Sequence, residues 1–144
     1  MAESLSGNLG RLALRFSIAC VFIAFGIDKI IAPNDWLIFL PSSAIQSIQQ
    51  SNQLTANQFL WVQGLAETVL GIQLLFGIFT RVSAIASALI LMAIVYSIGL
   101  ESFAKTGWRD FGLFLAAVSM VFLGGGGWSI DAWLARCQRT NGMP

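Results

Sequence analysis

The chain has no histidine, only two cysteines, three prolines and one tyrosine in 144 residues, and charged residues make up just 10% of it. Each shortage excludes something. Cys20 and Cys137 belong to no C-x-x-C pair. Without histidine, the usual ligand sets for zinc, haem and iron–sulfur clusters therefore cannot be assembled, and no metal site is expected. Cys20 falls within an apolar run and Cys137 near the C-terminus, so a structural disulfide between them is not expected. A soluble domain carries about 25% charged residues, far more than this chain. The net charge is +1, which leaves no basic footprint for nucleic acid.

What remains is apolar. The chain is 56% hydrophobic with a mean hydropathy of +0.75. Residues 68–80, 82–100 and 111–130 contain no charged residue at all. Uncharged apolar runs of about 18–20 residues are candidates for crossing a bilayer. The expected class is all-α: one small integral membrane domain covering residues 1–144, a four-helix antiparallel bundle with a short interfacial C-terminal helix. The first apolar run has no small-residue cleavage site behind a short core, so it reads as a retained helix and not as a signal peptide.

Four spans are expected, at about 12–32, 56–79, 82–101 and 109–128. Pro33-Asn34-Asp35 ends the first, because proline cannot continue the helical ladder. Residues 33–58 form the longest connection. Its start, DWLIFLP, suits the membrane–water interface, and its Ser/Gln part reads equally well as a short surface helix or a loop. Thr55-Ala56-Asn57-Gln58 is a capping box, which satisfies two orphan backbone donors at the start of the second span. Thr80-Arg81 reads as a tight turn, and Ser129-Ile130-Asp131 as the cap of the C-terminal helix. Trp133, Leu134 and Cys137 share a face of that helix that could lie on the bilayer. Short connections make the four helices antiparallel neighbours. Arg11, Arg15, Arg81, Arg136 and Arg139 fall on one side, and Lys29, Lys105 and Arg109 on the other. That bias puts both termini in the cytoplasm.

The carboxylate of Glu67 lies inside an apolar segment, which is the oddest feature of the sequence. A charge at such depth costs about 2.5–3.5 kcal/mol on insertion scales. At about 100° per residue, Gln63, Gly64 and Gly71 fall near Glu67, so its face is polar and small and suits a helix contact. In the first span Arg15, Ala19, Phe22, Gly26 and Lys29 share one stripe. Glu67 is therefore expected to pair with Lys29, Arg109 or both. The candidate site is Glu67, Lys29 and Arg109 as reactive groups, with Gln63, Gly26, Asp28, Gly71 and Glu101 as ligand contacts. A structural salt bridge that fixes helix register is the competing reading. Arg15 and Asp131, toward the other end, form a candidate structural pair. Gly124 to Gly127 reads as a soft helix end or as a place where something approaches the backbone closely.

Three segments carry a resemblance. RLALRFSIACVFIAFGIDKIIAP has an early arginine and a later G-x-x-K at Gly26 and Lys29. GLAETVLGIQLLFGIFTR has a glutamate, a glycine four residues on, and L-L-x-G before a T-R turn. WRDFGLFLAAVSMVFLGGGGWSID has an arginine at its start and a glycine run ending in S-I-D. In this order they resemble the DoxX family. The resemblance implies a four-helix integral membrane protein related to the small subunit of a membrane thiosulfate:quinone oxidoreductase. It also implies polar positions at Arg15, Lys29, Glu67, Arg109 and Asp131. No covalently bound cofactor is expected, and quinone is the candidate cofactor. Since no side chain here holds an electron, electrons would pass through a bound quinone or a protein partner.

Three functions are in play. The first is a membrane subunit of a quinone-linked oxidoreductase system. The second is a non-enzymatic scaffold or assembly factor. The third is small-solute transport, which the few polar residues in the half holding Gln73 disfavour. Expected partners are the lipid bilayer and either a second protein or further copies of the chain. The expected location is a prokaryotic cytoplasmic membrane, crossed several times.

Overall fold

The computed structural model describes residues 5–40, 45–46, 50, 55–102 and 107–141, without the side chains of 97–102 and 140–141. Among these residues the chain is all helical. The elements are α1 (Leu5–Ile31), α2 (Pro33–Trp36) with a following 3-10 turn (Leu37–Phe39), α3 (Ala56–Phe76), α4 (Thr80–Ser102), α5 (Trp108–Leu123) and α6 (Ile130–Asn141). α1 packs most closely on α3, and α4 on α5. Looser α3–α4 and α1–α5 contacts close the ring.

The inward stripe of α1 is Arg15, Ile18, Ala19, Phe22, Gly26 and Lys29. That of α3 is Leu60, Gly64, Glu67, Gly71 and Leu74. Both follow the three-and-four spacing of one helix face. Where the two stripes meet, glycine permits near-contact of the backbones. A Cβ on Gly26 would lie 2.7 Å from the Gly64 carbonyl oxygen, and one on Gly64 would lie 2.6 Å from that of Gly26. The apolar core sits below this contact, with Ile18, Ala19, Leu74, Ala84, Ala117 and Met120 fully buried.

Helix ends differ from the expected limits for identifiable reasons. α1 starts at Leu5, earlier than residue 12. At the other end Ala32 leaves the helical region, and Pro33 opens α2. Proline ends one helix and begins another, since its missing N–H is no loss at a first position. The chain turns by 113° there, so residues 33–39 fold across one end of the bundle. The capping box of α3 is present, with the Gln58 N–H donating to Thr55 Oγ1 at 3.3 Å and the Thr55 N–H to Gln58 Oε1 at 2.9 Å. α3 stops at Phe76, and the turn to α4 is made by Gly77 to Phe79, not by Thr80-Arg81. Gly77 is left-handed (φ 69°), and the Ile78 N–H returns to the Gln73 carbonyl at 2.9 Å. α5 ends at Leu123, ahead of the expected 128, because Gly124 has φ 67°. Most of the Ser/Gln stretch lies outside the described residues.

Among the described residues, α3 alone is long and apolar enough to cross a membrane, and α1 with the bent segment behind it makes a second, broken candidate. In α4 the described apolar stretch is Thr80–Tyr96, among the shorter apolar helices. With 16 residues, α5 rises about 24 Å. The outer faces are apolar, with Phe16, Leu65, Val69, Leu89, Leu115 and Phe122 exposed. Cys20 also faces outward and does not pack inside.

Candidate functional site

The candidate site lies at the end of the bundle covered by α2. α1 delivers Lys29 one turn beyond the glycine contact, and α3 delivers Glu67 one turn beyond Gly64. The close helix approach therefore sets the two side chains face to face. Lys29 Nζ lies 2.6 Å from Glu67 Oε2, and the residues are only 4% and 3% exposed. Gln63, one turn before Glu67, donates to its second oxygen at 3.1 Å. The ammonium also sits 4.2 Å from the centre of the Trp36 ring, a contact that strengthens as water is removed. The Trp36 indole N–H donates to Asp28 Oδ2 at 2.9 Å. Asn57 donates to Asn34 at 2.8 Å, which ties α2 to the start of α3.

Of the two cations in play for Glu67, Lys29 is the one that pairs, and Arg109 is held elsewhere. Its side chain is 50% exposed, donates from Nε to Asp110 Oδ1 at 2.9 Å, and lies over the Phe25 ring at 4.6 Å. Asp110 is 4% exposed. The site thus contains two cation–carboxylate–aromatic groups, Lys29–Glu67–Trp36 and Arg109–Asp110–Phe25. They are joined by an edge-to-face contact of Phe25 and Trp36, 5.5 Å between centres.

These groups border a cavity of about 780 Å³, within the roughly 300–1,000 Å³ usual for small-molecule sites. Lys29, Glu67, Gln63, Asp28, Arg109 and Asp110 all line it, together with Asp35 and Trp36. Most of the remaining wall is aliphatic or aromatic, including Phe22, Phe25, Phe39, Phe59, Leu60, Leu91 and Leu113. Gly26 and Gly71, expected as ligand contacts, are not in this wall. They serve the α1–α3 contact, where a Cβ on Gly71 would lie 2.8 Å from Ile23 Cγ1. The Glu101 side chain lies outside the described residues.

Arg15 and Asp131 meet at the opposite end without forming a direct ion pair. Arg15 is 2% exposed. It donates to the carbonyls of Gly125 at 2.8 Å, Trp128 at 3.2 Å and Leu75 at 3.4 Å. The Asp131 carboxylate accepts from the Phe79 N–H at 2.9 Å, the Thr80 N–H at 2.8 Å and the Thr80 hydroxyl at 2.8 Å. It caps α4, while Ser129 caps α6 by accepting from the Ala132 N–H at 3.1 Å. Partial burial pushes the Asp131 carboxyl up, but the Thr80 and Phe79 donors and the Arg15 charge outweigh it and hold the group below the usual carboxylate range. The glycine run is the partner of this end. Gly125 O receives Arg15, the Gly127 N–H donates to Asn8 Oδ1 at 2.9 Å, and a Cβ on Gly125 would strike Thr80 and Ser129.

Sequence reasoning missed two site residues. Asp110 follows Arg109 in the first turn of α5, and nothing in its sequence position marks it as buried, although it is 4% exposed. Trp36 reads as an interface anchor, and only the 113° turn brings it over Lys29. Among the described residues no group of three or more His, Cys, Asp or Glu could hold a metal ion. No curated protein and no solved structure matches the chain. The DoxX family model matches residues 10–100, which take in most of α1, α2, α3 and most of α4, with Lys29 and Glu67. On that match the chain belongs to the DoxX family, a family of membrane proteins.

Proposed function

We propose that this protein is the membrane subunit of a quinone-linked oxidoreductase system and that its cavity holds the quinone ring. The observation that carries the reading is the Lys29–Glu67 pair, buried at 2.6 Å in the wall of a largely apolar cavity of about 780 Å³. The donor set fits the group. A quinone is apolar apart from its carbonyls, and the Lys29 ammonium and Gln63 amide supply hydrogen-bond donors on one wall. When bound, the quinone supplies the two-electron redox capacity that the side chains lack. Lys29 would orient a carbonyl by charge-assisted hydrogen bonding. Glu67 would hold that ammonium in place and offer a carboxylate for a proton. Trp36 and Phe25 would exclude water and present ring faces. The electrons would come from a protein partner.

Charge supports a neutral ligand over a small anion. Asp28, Asp35, Glu67 and Asp110 line the cavity against Lys29 and Arg109, and this excess of carboxylates repels an anion such as thiosulfate. The four-span arrangement with both termini in the cytoplasm of a prokaryotic cell, and the oxidoreductase partner, belong to the same proposal. The test is gentle detergent purification followed by mass spectrometry of copurifying lipids and proteins. The expected result is a stoichiometric quinone that disappears in Glu67→Gln and Lys29→Met. Wild-type protein carrying only phospholipid would overturn the reading.

One observation favours a scaffold instead. Lys29 and Glu67 join α1 to α3 right beside the glycine contact, where an ion pair could serve register alone. In that case replacing both by apolar residues restores stability and preserves every partner interaction.

A further inference from the structure

The cavity is not enclosed by the bundle. α3 presents Leu60 and Glu67 inward, 2% and 3% exposed, and Val62 outward, 53% exposed. Ala66 is exposed as well. All four residues line the same cavity. On α4 the buried Leu91 and the exposed Ala93 also line it together. A cavity bordered by both the inner and the outer faces of two consecutive helices reaches the seam between them; it reaches the α1–α5 side as well, but there the exposed border is charged, with Asp28 and Arg109.

The other sides are closely packed, charged or covered by residues 33–39. Along α1–α3 the backbones touch at Gly26 and Gly64. α4 and α5 pack closely. Between α1 and α5, Arg109 of one helix lies over Phe25 of the other. Residues 33–39, with Trp36 over Lys29, cover the end. The α3–α4 contact is loose, as the α1–α5 one is, and among the described residues its side-chain hydrogen bond, from Ser83 to Gln73 at 2.8 Å, sits near the turn between the helices and away from the cavity. At the level of the cavity the seam is bordered by Val62, Ala66, Ile90, Ala93 and Ile94, all apolar and two of them alanine.

We infer that the α3–α4 seam is a lateral portal, through which a ligand passes between the bilayer and the Lys29–Glu67 site with its polar ring inside and its apolar tail left in lipid. The inference rests on the proposed function and deepens it by naming the class of ligand: a single-tailed, membrane-dissolved amphiphile with an uncharged carbonyl-bearing head. A purely apolar seam suits a hydrocarbon tail and opposes passage of a hydrated solute, because a polar group crossing it would lose its hydrogen bonds to water.

The test requires no quinone, so its failure and that of the proposed function are distinguishable. The full-length protein in liposomes is photolabelled in parallel with an aryl diazirine dissolved in the lipid and with a water-soluble diazirine. Labelled residues are mapped by mass spectrometry. The portal predicts lipid-phase labelling of the buried cavity wall, at Phe22, Leu60 and Leu91, as well as of the outer faces. Ala66→Phe with Ala93→Phe lowers the inner-wall labelling several-fold, and Ala13→Phe, on an exposed part of α1 toward the opposite end, leaves it unchanged. Inner-wall labelling from the water phase alone, or none from lipid, overturns the portal. So does lipid-phase labelling that persists in a plugged variant with unchanged helical circular dichroism. If the plugged variant does not fold, the wild-type pattern still decides, since only a lateral opening gives inner-wall labelling from lipid without labelling from water. Quinone copurification separately decides the ligand.

Discussion

α1 buries two cations, Arg15 near its middle and Lys29 in its last turn, and the molecule treats them differently. Arg15 is met by three backbone carbonyls from the α3 terminus and the glycine loop. Lys29 is met by a carboxylate side chain and an indole face, at the wall of a large cavity. Carbonyls on turns cannot be exchanged for another partner without unmaking the turns. A carboxylate and a ring can be shared with a ligand. The Arg15 end is therefore read as a lock and the Lys29 end as a site, even though the two residues are almost equally buried.

The largest expected effect breaks the lock. Arg15→Met strands three carbonyls in an apolar surround, and hydrogen bonds to charged groups contribute about 1.5–3 kcal/mol each. The midpoint of thermal unfolding in detergent should fall steeply, with no second-site apolar change restoring it. A wild-type midpoint would end the distinction between the ends.

Next comes Glu67→Gln, which leaves the Lys29 ammonium without its counter-charge at a cost of about 3–5 kcal/mol. Here a rescue is expected: Glu67→Gln with Lys29→Met regains most of the midpoint and yet binds no ligand. Stability and binding should separate at this end only.

Gly64→Ala tests the contact that sets the pair. Its new Cβ would meet the Gly26 carbonyl oxygen at 2.6 Å and Lys29 Cβ at 2.9 Å, and overpacking of this kind costs about 1–3 kcal/mol. Ligand affinity should fall along with the midpoint, because Lys29 is displaced.

The smallest effect belongs to Asp131→Asn, with loss of a cap worth about 1 kcal/mol. Its sign with pH is fixed. The folded carboxyl titrates below its ordinary value, so its stabilisation is present above the unfolded pKa of about 3.9. It is lost as pH falls through the lower folded value. The gap between wild type and Asp131→Asn, followed by unfolding midpoints, should be full near neutrality and close in acid. A gap that widened below pH about 4 would reverse the assignment.

Much of the fold was legible because local chemistry fixed it. The inward stripe of α1 follows from residue spacing, and the Thr55 capping box follows from four residues. The pairing of Glu67 was legible as a necessity, since a lone charge at that position is too costly. Its choice of Lys29 over Arg109 was not, because it depends on which helices touch: Gly26 and Gly64 bring α1 against α3, whereas Arg109 on α5 is taken by its neighbour Asp110. The roles of Ser129 and Asp131 were read together as one cap. The structure divides them between two helices, a choice that sequence proximity cannot reveal.

The sequence by itself determined that the chain is helical and apolar, where most helices start, and that Glu67 needs a partner. These are properties of composition, spacing and desolvation cost, which act within a few residues. Only the tertiary structure decided that Trp36 folds back over Lys29, that Asp110 is buried, that Gly26 and Gly71 serve packing, and that Lys29, Glu67, Arg109 and Asp110 border one cavity. Those features arise where residues distant in the chain meet, and they follow from which helix faces can approach closely enough to exclude one another's side chains.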